Sequence, residues 1–434
     1  MTDAGRVDVA VVGGGPAGAA VAGRLARAGA RVALVERSAY DAPRVGETFG
    51  AEVGPLLERL GAWGAVGDLL GAQVRFRSVL SAWGSDDLVE RPSILHPLGD
   101  GWHVDRVAFD ARLADWAASA GARVIRGAGP CRAIPDADGC LVSWSSGSVR
   151  ARFVVDASGR GAPASALLGG RRWFALDRQV ALVAWISARD SLDHTLLLEA
   201  APLGFWYSVP LPGEVLAVVL VTDADLVPAG GKGGLVGRFV EALGGTRHTR
   251  ARVGHAVLDA VKVARADSGR LLPDRGPGFR AVGDACMATD PLGGNGVARA
   301  LRSALDAADD LVGPGDPASI PRDLDAYLEL RARYYAAEPR FAEAPFWARR
   351  HPLPWREAPL WLAPEATLRW QRPPSPRAEA LLPPRALAEV RRALAVPQPA
   401  HVVLMRLQAA APLPDRRLLV GVQALVEEGA LECV

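Results

Sequence analysis

The pattern of apolar positions at the start of the chain predicts a strand, a helix and a second strand. An apolar run over 7–12 is followed by glycines, by helical periodicity over 16–28 and by a second apolar run over 31–36. Gly29 stands at a point where a glycine commonly ends a helix. This order is typical of a βαβ unit with parallel strands.

The rest of the pattern predicts an α/β fold with an inserted antiparallel sheet. The next elements are a helix at 51–60, strands near 73–83 and 101–105, a helix at 109–120, a strand from 123 and a hairpin at 140–155. Residues 173–265 alternate aromatic and β-branched residues, which favours antiparallel strands. We therefore predict a Rossmann-like cofactor domain made of 1–172 and 266–345, with the antiparallel-sheet substrate domain 173–265 inserted between its halves.

Residues 346–434 are predicted to form a small, mainly helical C-terminal extension. Its proline-rich stretch 373–384 is typical of a linker. The helical segments that follow, at 384–396, 400–411 and 415–428, have the spacing of a winged-helix-like unit. Such a unit could dock a protein substrate. The alternative is a packing appendage that caps the substrate domain or mediates dimerisation.

The first turn of the chain carries a dinucleotide-binding pattern, Gly13-Gly14-Gly15-Pro16-Ala17-Gly18. Gly13 permits the tight turn, Gly15 lets the backbone approach a pyrophosphate, and Gly18 allows close helix–strand packing. The phosphates then meet the amides and the positive dipole of the helix N-terminus. Glu36 ends the second strand eighteen residues after Gly18 and is placed to accept hydrogen bonds from a ribose.

Two later segments indicate that the dinucleotide is FAD. Gly283-Asp284-Ala285 follows an apolar strand, so the Asp284 carboxylate could accept from a ribityl hydroxyl. The Pro- and Gly-rich loop that continues to Gly296 aims backbone amides at the flavin pyrimidine edge, which becomes anionic on reduction. Arg106 stands at a predicted strand-to-helix junction suited to the diphosphate.

Composition and charge narrow the function classes. Fifty Lys and Arg residues nearly balance 48 Asp and Glu residues, which gives no electrostatic case for a nucleic-acid partner. The four cysteines lack metal-ligand spacing, so we predict no metal site. No apolar stretch reaches the roughly 18 residues of a membrane span, and strand one begins almost at once, without room for a signal peptide. We therefore expect a cytoplasmic protein that is not bound to a membrane.

With these motifs, the chain resembles the FAD-dependent monooxygenases of the aromatic-hydroxylase and halogenase superfamily. The resemblance covers about 7–345 and includes Arg44-Val45-Gly46-Glu47-Thr48 and Asp156-Ala157-Ser158-Gly159. It implies that reduced flavin reacts with molecular oxygen to give a C4a-hydroperoxide, whose distal oxygen passes to an electron-rich ring. The predicted cofactor residues are Gly13, Gly15, Pro16, Ala17, Gly18, Glu36, Arg37, Arg44, Gly46, Arg106, Cys131, Asp156, Gly159, Asp284, Pro291, Gly294, Asn295 and Gly296.

Two departures from the family pattern argue against halogenation. Flavin halogenases resemble one another in a tunnel lysine, whereas this chain has no lysine between Gly46 and Lys232, and only Lys262 follows. They also share a Gly-Trp-x-Trp-x-Ile-Pro element, which appears here as Gly204-Phe205-Trp206-Tyr207-Ser208-Val209-Pro210 with both signature tryptophans replaced. Halogenation is therefore the less favoured activity.

Several aromatic segments are similar to the flavoprotein maturases of quinone-cofactor oxidases. They are Ser81-Ala82-Trp83-Gly84-Ser85, Phe205–Pro212 and Tyr334-Tyr335 with Arg340-Phe341 and Phe346-Trp347. The resemblance implies hydroxylation of a tryptophan side chain in a partner polypeptide, as a post-translational step of tryptophylquinone biosynthesis. Core packing is the alternative role for each of these aromatic residues.

Catalytic and substrate residues are predicted from the same loops. Glu47 is the first candidate for the group that accepts the ring proton, because its loop should run near the isoalloxazine, and His103 and Tyr207 are alternatives. Trp83, Phe205 and Trp206 are predicted to line the substrate cavity by stacking on an indole. Glu47 could instead be a buried carboxylate that ties its loop to the backbone, and His103 could be structural.

Other substrates and electron sources remain open from the sequence. One rival is hydroxylation or halogenation of a small natural-product intermediate, and another is an FAD-dependent reductase of isoprenoid double bonds, similar to geranylgeranyl reductases. The chain has no second Gly-x-Gly-x-x-Gly for a separate NAD(P)H domain. The reductant is therefore predicted to be transiently bound NAD(P)H or a partner flavin reductase.

Overall fold

The computed structural model describes residues 2–160, 171–188, 193–227, 234–312, 319–350, 360–411, 413 and 415–434. In chain order its strands are β1 Thr2–Val12, β2 Val32–Val35, β3 Thr48–Phe49, β4 Val74–Phe76, β5 Ser78–Ala82, β6 Val89–Pro92, β7 Gly101–His103, β8 Arg123–Ile125, β9 Arg132–Asp136, β10 Gly139–Trp144, β11 Gly147–Asp156, β12 Arg172–Ala175, β13 Gln179–Ser187, β14 Thr195–Ala201, β15 Gly204–Leu211, β16 Val215–Asp223, β17 Lys262–Arg265, β18 Gly269–Leu272, β19 Arg275–Gly276, β20 Phe279–Ala281, β21 Met287–Ala288, β22 Thr367–Trp370, β23 Gln398–Pro399 and β24 Leu431–Cys433. Its α-helices are α1 Pro16–Arg27, α2 Val53–Leu60, α3 Trp63–Gly71, α4 Arg106–Ser119, α5 Gly234–Gly244, α6 His248–Val253, α7 Gly296–Val312, α8 Ser319–Ala336, α9 Pro345–Ala348, α10 Pro376–Glu379, α11 Pro384–Ala393, α12 Ala400–Ala410 and α13 Asp415–Glu427.

The central sheet is built on the βαβ unit that the sequence predicts. Its order is β19-β20-β11-β1-β2-β8, with parallel pairing from β20 to β8 and the β9–β10 hairpin joined to β11. Helices α1, α4 and α7 cover one face, where Leu113 and Leu301 are fully buried. The hairpin supplies much of the apolar packing on the other face, including Ala133 and Val142. The predicted Rossmann-like α/β architecture is confirmed.

The second sheet has the order β17-β13-β16-β15-β14-β5-β6. Its strands pair antiparallel except for β14 with β5. Strands β5 and β6 lie in the range that the sequence assigned to the cofactor domain. They nevertheless belong to the second sheet, because β5 pairs with β14 in parallel, with Leu80 opposite Leu197. The predicted insertion 173–265 is therefore completed by two strands from earlier in the chain.

The two faces of the second sheet bury different side chains. Since successive side chains of a strand alternate in direction, Trp206 of β15 points to one face and Phe205 and Tyr207 to the other. Trp206 packs with α5, and its ring centroid lies 4.9 Å from that of Phe239. Phe205 and Tyr207 pack on the side of Trp347 and the segment around it.

The C-terminal part packs around a core that it shares with Phe174, Leu176, Met287 and Leu324 from earlier in the chain. Strand β22 pairs antiparallel with β23 and β24, and α11, α12 and α13 pack beside this small sheet. The stretch 373–384, predicted as a linker, instead contains α10 and buries Leu381 and Leu382 in that core. The linker prediction was wrong because the prolines lie beside helix starts, where they are tolerated, while the leucines between them face inward.

The described residues contain neither a candidate membrane span nor a candidate metal cluster. No helix there is long and apolar enough to cross a membrane. No group of three or more His, Cys, Asp or Glu side chains in the same ranges could hold a metal ion.

Candidate functional site

The glycine turn lies at the carboxyl end of β1 and is packed so tightly that only glycine fits at two positions. Gly13 has φ +103°, and a Cβ there would collide with the Ala157 carbonyl oxygen. A Cβ at Gly18 would collide with the Gly13 carbonyl oxygen. By contrast, no atom lies within 4 Å of a Cβ built on Gly15. The turn is therefore closed on the protein side and open at Gly15.

Helix α1 presents an uncapped N-terminus to this opening. Its first residue is Pro16, and Gly15 at the N-cap position makes no side-chain hydrogen bond to the first-turn amides. Such an end combines unsatisfied amides with the positive end of the helix dipole, which suits a pyrophosphate. The open space over Gly15 and the uncapped amides fit the diphosphate of a dinucleotide.

Glu36 follows β2 and is held by protein donors. Its Oε2 accepts the Gly14 amide at 2.6 Å, and its Oε1 accepts the Ser38 amide at 3.0 Å and the Arg44 guanidinium at 2.9 Å. Burial opposes ionisation, but the Ser38 and Gly14 hydrogen bonds and the Arg44 charge outweigh it and leave the pKa of Glu36 below its usual value. The carboxylate is charged and fixes the glycine turn, and its hydrogen bond to a ribose stays a prediction.

Two candidates lie beside Glu36. The Arg37 side chain is exposed, and its backbone carbonyl accepts the Gly129 amide at 3.0 Å. The Cys131 thiol is half-buried, and burial together with the nearby Glu36 charge raises its pKa. Both predicted residues thus line the same end of the site.

Arg44, Gly46 and Arg106 are brought together by a carboxylate that sequence reasoning had not assigned. Asp110 of α4 is fully buried and accepts Arg106 at 3.0 and 3.1 Å and Arg44 at 3.3 Å. Arg106 also donates to the Val45 carbonyl at 2.8 Å. The Arg106 side chain therefore clamps the loop that precedes Glu47 against helix α4.

The predicted flavin segments meet at the carboxyl ends of β11 and β20. The buried Asp156 accepts the Ser158 amide at 2.8 Å and so shapes the turn to Gly159, which has φ +83° and open space beside it. Asp284 is partly exposed and lies 3.4 Å from the Arg160 guanidinium. Parallel strands bring such loops to one edge of a sheet, where α/β folds bind their ligands.

The loop before α7 is open at the backbone and anchored at its start. A Cβ on Gly294 or Gly296 would meet nothing within 4 Å, so the amides between Pro291 and Gly296 are approachable, with Asn295 beside them. Asp290 at the loop's base accepts Arg331 at 3.2 Å and the Tyr335 hydroxyl at 3.1 Å. The residues present thus fit a flavin ring at this loop.

Glu47 lies at the junction of the two sheets. Its side chain is buried, Oε2 accepts the Gly46 amide at 2.8 Å, and Oε1 has no hydrogen-bond partner among the described residues. Burial raises the pKa of Glu47, while Arg106 and the facing Trp185 indole oppose the rise. An unbonded buried carboxyl oxygen of this kind is poised to exchange a proton with a ligand.

Tyr207 and Trp185 stand beside Glu47 on one face of the second sheet. The two aromatic residues share apolar neighbours, and the charge of Glu47 adds to burial in raising the pKa of Tyr207 well above its usual range. The Lys262 ammonium lies 5.5 Å from the Trp185 ring centroid on the exposed side. Glu47, Tyr207 and Trp185 form the polar and aromatic wall of the candidate site.

His103 occupies a packing position. Its ring is fully buried, lies 5.1 Å from Phe76, and its Nδ1 is 3.0 Å from the Thr48 hydroxyl. Burial, with smaller contributions from Arg252 and His194, lowers the pKa of His103 to about 3. These contacts favour the structural role over the predicted catalytic one, because a neutral imidazole this weakly basic is a poor proton acceptor.

The three predicted substrate residues do not lie together in the structure. Trp206 is only 1% exposed and packs on Phe239 at the far face of the sheet from Tyr207, so its assignment to the cavity was wrong. Phe205 is fully buried and contacts the half-buried Trp83 at a centroid distance of 6.0 Å. Of the three, Trp83 has the most accessible ring, with Phe205 packed against it.

The maturase-like aromatic segments converge on Trp83. The ring centroid of Trp347 lies 5.2 Å from that of Trp83, and that of Tyr335 lies 6.4 Å from it. The Trp83 indole also donates to the Tyr334 carbonyl at 2.9 Å. Since Trp347 and Tyr335 are fully buried, their packing role is the one that the structure displays.

Sequence reasoning missed Arg160, Trp185 and Asp110. Arg160 directly follows the Asp156–Gly159 turn and donates to the Asp267 and Thr289 carbonyls, which places its charge beside Asp284. The alternation of β13 places Trp185 in phase with Ala181 and Val183, but the sequence does not say which face meets the cofactor. Arg160 could have been found from the sequence, because it directly follows the predicted cofactor-binding turn Asp156–Gly159.

Comparison with known proteins finds flavin-dependent relatives. Residues 8–167 match the family described as FAD dependent oxidoreductase. The tryptophan 2-halogenase of Chondromyces crocatus is 30% identical over 323 residues, which are 69% of this chain and 60% of that protein. The match thus spans less than two thirds of that relative's length.

Solved structures with the same fold include a halogenase and a hydroxylase. CmlS, a flavin-dependent halogenase, has a TM-score of 0.69 at 22% identity and is matched over 99% of this chain and 96% of its own. QhpG, a peptidyl tryptophan dihydroxylase essential for tryptophylquinone cofactor biogenesis, has a TM-score of 0.65 at 23% identity, over 98% and 99%. These identities show the fold alone.

The comparisons change the balance of the sequence argument. The predicted superfamily resemblance is confirmed for the fold, which is that of FAD-dependent oxidoreductases and halogenases, whereas the particular likeness to the maturases stays a prediction. The argument against the halogenase branch is weakened, because halogenases are among the similar curated proteins and structures. The chain thus carries an N-terminal match to the FAD dependent oxidoreductase family and has the fold of the flavin-dependent halogenases.

Proposed function

We propose that the protein is an FAD-dependent monooxygenase that hydroxylates an aromatic ring, with a tryptophan side chain of a peptide or protein as the substrate. The observation that carries this proposal is the buried Glu47 carboxyl, whose Oε1 has no partner in the described structure, beside Tyr207 and Trp185. Bound FAD supplies the activation of molecular oxygen. The protein's own groups bind the ring, exclude water and accept a proton.

The glycine turn, Arg44 and the loop before α7 are proposed to hold FAD. The α1 N-terminus takes the diphosphate, Asp284 takes a ribityl hydroxyl and the Pro291–Gly296 amides take the pyrimidine edge. Clamping of the Arg44–Glu47 loop by Arg106 then sets where the Glu47 carboxyl stands relative to the flavin loop. The same clamp keeps this carboxyl out of water.

Glu47 is proposed to accept the proton that leaves the ring carbon. Replacing a ring hydrogen by a hydroxyl requires loss of that proton, and a carboxylate whose pKa is raised by burial is a stronger proton acceptor than one in water. Trp185 and Trp83 offer aromatic surfaces against which an indole can pack. The Tyr207 hydroxyl, kept protonated by its raised pKa, is available to donate a hydrogen bond to the incoming hydroxyl oxygen.

A second candidate function is halogenation of a tryptophan or a similar electron-rich ring. It is favoured by the 30% identity to a tryptophan 2-halogenase and by one structural observation. Lys262 is on the edge strand β17, and its ammonium lies 5.5 Å from the ring centroid of Trp185, which borders Glu47. A cation thus lies near the site even though no lysine stands between Gly46 and Lys232, which is itself outside the described residues.

The remaining partners are also proposals. Electrons are proposed to come from transiently bound NAD(P)H or from a partner flavin reductase. The C-terminal unit, with three helices around a small sheet, is proposed to assist in docking a polypeptide substrate, and a purely packing role is the alternative.

A single-turnover experiment tests the proposal. FAD-loaded enzyme is reduced without oxygen and mixed with oxygenated buffer containing chloride or bromide, with a tryptophan-containing peptide or free tryptophan. A peptide mass gain of one oxygen atom is the expected result, because one reduced flavin and one O2 give one oxygen atom to the ring and one to water; the gain should be lost in Glu47→Gln and kept in the control Glu58→Gln, whose side chain is exposed. Replacement of a ring hydrogen by chlorine or bromine would favour the halogenase, and loss of that product in Lys262→Met would assign the lysine its role.

A further inference from the structure

An exposed apolar surface lies at the outer edge of the second sheet, and we name it the apolar edge patch. It consists of Leu88, Val89, Ile94, Leu95 and Leu98. Ile94 and Leu95 are 81% and 82% exposed, and Val89 and Leu98 are each 53% exposed. Single exposed aliphatic residues are ordinary, but several within eleven positions form a contiguous surface that commonly marks a binding site.

The patch is presented by an ordered turn. The Ser93 hydroxyl donates to the Arg77 carbonyl and to Asp100, both at 2.6 Å, and its amide donates to the Arg77 carbonyl at 2.7 Å. The His96 amide closes the turn on the Ser93 carbonyl at 2.8 Å. Ile94 and Leu95 are therefore held outward by the fold, and little conformational entropy would be lost when a partner covers them.

The patch continues the sheet that carries the candidate site. Strand β6 is the last strand of that sheet in the described part of the chain, so its outer backbone groups face away from β5. The turn that leads into β6 begins at Trp83 and is fixed by the Gly84 amide, which donates to Glu338 at 2.7 Å. A chain paired with β6 would thus run beside the Trp83 turn.

The charges around the patch select among partners. Residues 85–98 contain Asp86, Asp87 and Glu90 but only one arginine, Arg91. Asp86 is paired with Arg340, which leaves the exposed Asp87 and Glu90 together with Arg91 and the exposed Arg77, whose carbonyl accepts from Ser93. A membrane-binding surface carries an excess of Lys and Arg, because lipid surfaces are anionic. The surroundings of the patch have no such excess, and the exposed carboxylates of Asp87 and Glu90 offer partners to the basic side chains of a polypeptide that also carries aliphatic residues.

We propose that the apolar edge patch docks an extended segment of the polypeptide substrate, one that carries alternating aliphatic and basic residues. This inference rests on the proposed function, since it assigns the part of the substrate away from the reacting ring. Edge-strand addition supplies backbone pairing with Val89–Arg91, and Pro92 ends that pairing because it has no N–H. With so short an edge, the aliphatic contacts with Ile94 and Leu95 carry most of the affinity.

The sheet order sets the spacing between the docked segment and the reacting tryptophan. A strand added to β6 lies four spacings of about 4.8 Å from β15, which carries Tyr207, and hence about 19 Å away. An extended chain advances about 3.3 Å per residue, so about six residues cover that span. The docking segment is therefore about six residues from the tryptophan that reacts.

Synthetic peptides test the docking site without relying on turnover. The probe carries one tryptophan, a five-residue Gly-Ser spacer and Val-Lys-Val-Lys-Val, made in both orders, and a control peptide has Ser in place of each Val. Binding to oxidised FAD-loaded enzyme is measured by fluorescence anisotropy. We expect the Val peptide to bind at least tenfold more tightly than the Ser peptide. That advantage is lost in the double variant Ile94→Ser, Leu95→Ser and kept in Val257→Ser, which changes an aliphatic residue that is 74% exposed elsewhere in the substrate domain.

Each other outcome overturns the docking proposal. Equal binding of the two peptides, or an undiminished Val preference in the double variant, removes the patch as their site. Sedimentation of wild-type enzyme as a dimer, with the double variant monomeric, assigns the patch to a second copy of the chain. Co-sedimentation with phosphatidylcholine–phosphatidylglycerol vesicles that the double variant loses assigns it to a membrane. If no ring is ever oxidised in the single-turnover experiment, the proposed function fails while the binding result still stands by itself.

Discussion

Two glycines of the cofactor turn have different roles, since Gly18 is needed for packing within the protein and Gly15 leaves space for a ligand. Alanine variants at the two positions distinguish these roles. In Gly18→Ala the new Cβ collides with the Gly13 carbonyl oxygen and lies 3.0 Å from the Ala157 Cβ. Gly13 cannot withdraw, because its amide donates to the Val35 carbonyl at 2.9 Å and a Cβ at its own position would also collide. Helix α1 must therefore shift away from β1.

The magnitude for Gly18→Ala follows from two opposing effects. Overpacking of this kind costs about 3 kcal/mol, and alanine regains about 1 kcal/mol of helix propensity over glycine. We expect a net loss of about 2 kcal/mol in the free energy of unfolding of the apoprotein, which lowers Tm by about 2 °C in a chain of this length. Weakened FAD binding follows as a secondary effect of the displaced helix.

Gly15→Ala is expected to change stability little and to weaken FAD binding strongly. Gly15 has φ −69°, which alanine adopts readily, and no atom lies within 4 Å of the new Cβ. Loss of the N-cap preference for glycine costs about 0.5 kcal/mol of stability. The methyl group nevertheless fills the space over which the diphosphate must approach, so Kd for FAD should rise at least tenfold, or about 1.4 kcal/mol.

The assay pairs thermal unfolding of the two apoproteins with FAD titration followed by flavin fluorescence. Wild-type FAD affinity in Gly15→Ala would refute the placement of the diphosphate over this residue. A wild-type Tm for the Gly18→Ala apoprotein would refute the helix–turn contact as the reason for glycine there.

Three further predictions concern the second sheet and its junction. Because burial raises the pKa of Glu47, the rate of ring oxidation should rise with pH as this carboxyl ionises, and Glu47→Gln should be slow and flat in a pH–rate profile. The protonated form of Glu47 also favours folding. The contribution of Glu47 to stability is therefore greatest below the usual pKa of 4.5 and is lost as the pH rises through the folded pKa. Trp206→Ala should lower the free energy of unfolding by about 3–5 kcal/mol in urea titrations, whereas Tyr207→Phe should change turnover and leave stability within about 1 kcal/mol. The opposite pattern would show that Trp206 lines the substrate cavity. Asp223→Ala leaves the buried Arg350 without its carboxylate, which should lower the free energy of unfolding by about 3–5 kcal/mol. In the wild type, burial opposes ionisation of Asp223, but Arg350 keeps the pKa of Asp223 below 3.8. The stability that this pair provides should therefore fall when urea titrations are repeated below that pH, and no change would show that the pair is not formed.

The βαβ unit and its cofactor turn could be predicted because local sequence determines them. The glycines at 13 and 18 are required by contacts within one turn and its neighbouring strand, and the apolar runs on either side have the length of strands. Glu36 could be placed because it ends the second strand. These features depend on residues close in sequence, or on pairing that the βαβ order already implies.

The candidate catalytic wall could be predicted only in part. Glu47 was found from its loop, but its neighbour Trp185 comes from a strand well over a hundred residues later, and its orientation depends on which face of the second sheet meets the first. The same ambiguity produced the error at Trp206, since alternation assigns Trp206 and Tyr207 to opposite faces without saying which is inside the site. Membership of β5 in the second sheet was missed because parallel pairing with β14 leaves no mark on either strand's pattern.

The pairing of β20 with β11 has a consequence for synthesis of the chain on the ribosome. Asp156 of β11 pairs with Ala281 of β20, so the carboxyl end of β11 lacks its outer neighbour until on the order of 120 further residues have been translated. At about 5–20 residues per second this interval lasts roughly 6–24 s, during which an unpaired strand edge is exposed to other nascent chains. The glycine turn, Glu36 and Arg44 are complete well before that moment, whereas Asp284 and the loop before α7 follow it. The half of the site that would hold adenosine diphosphate therefore emerges first, and the half that would hold the flavin is added last.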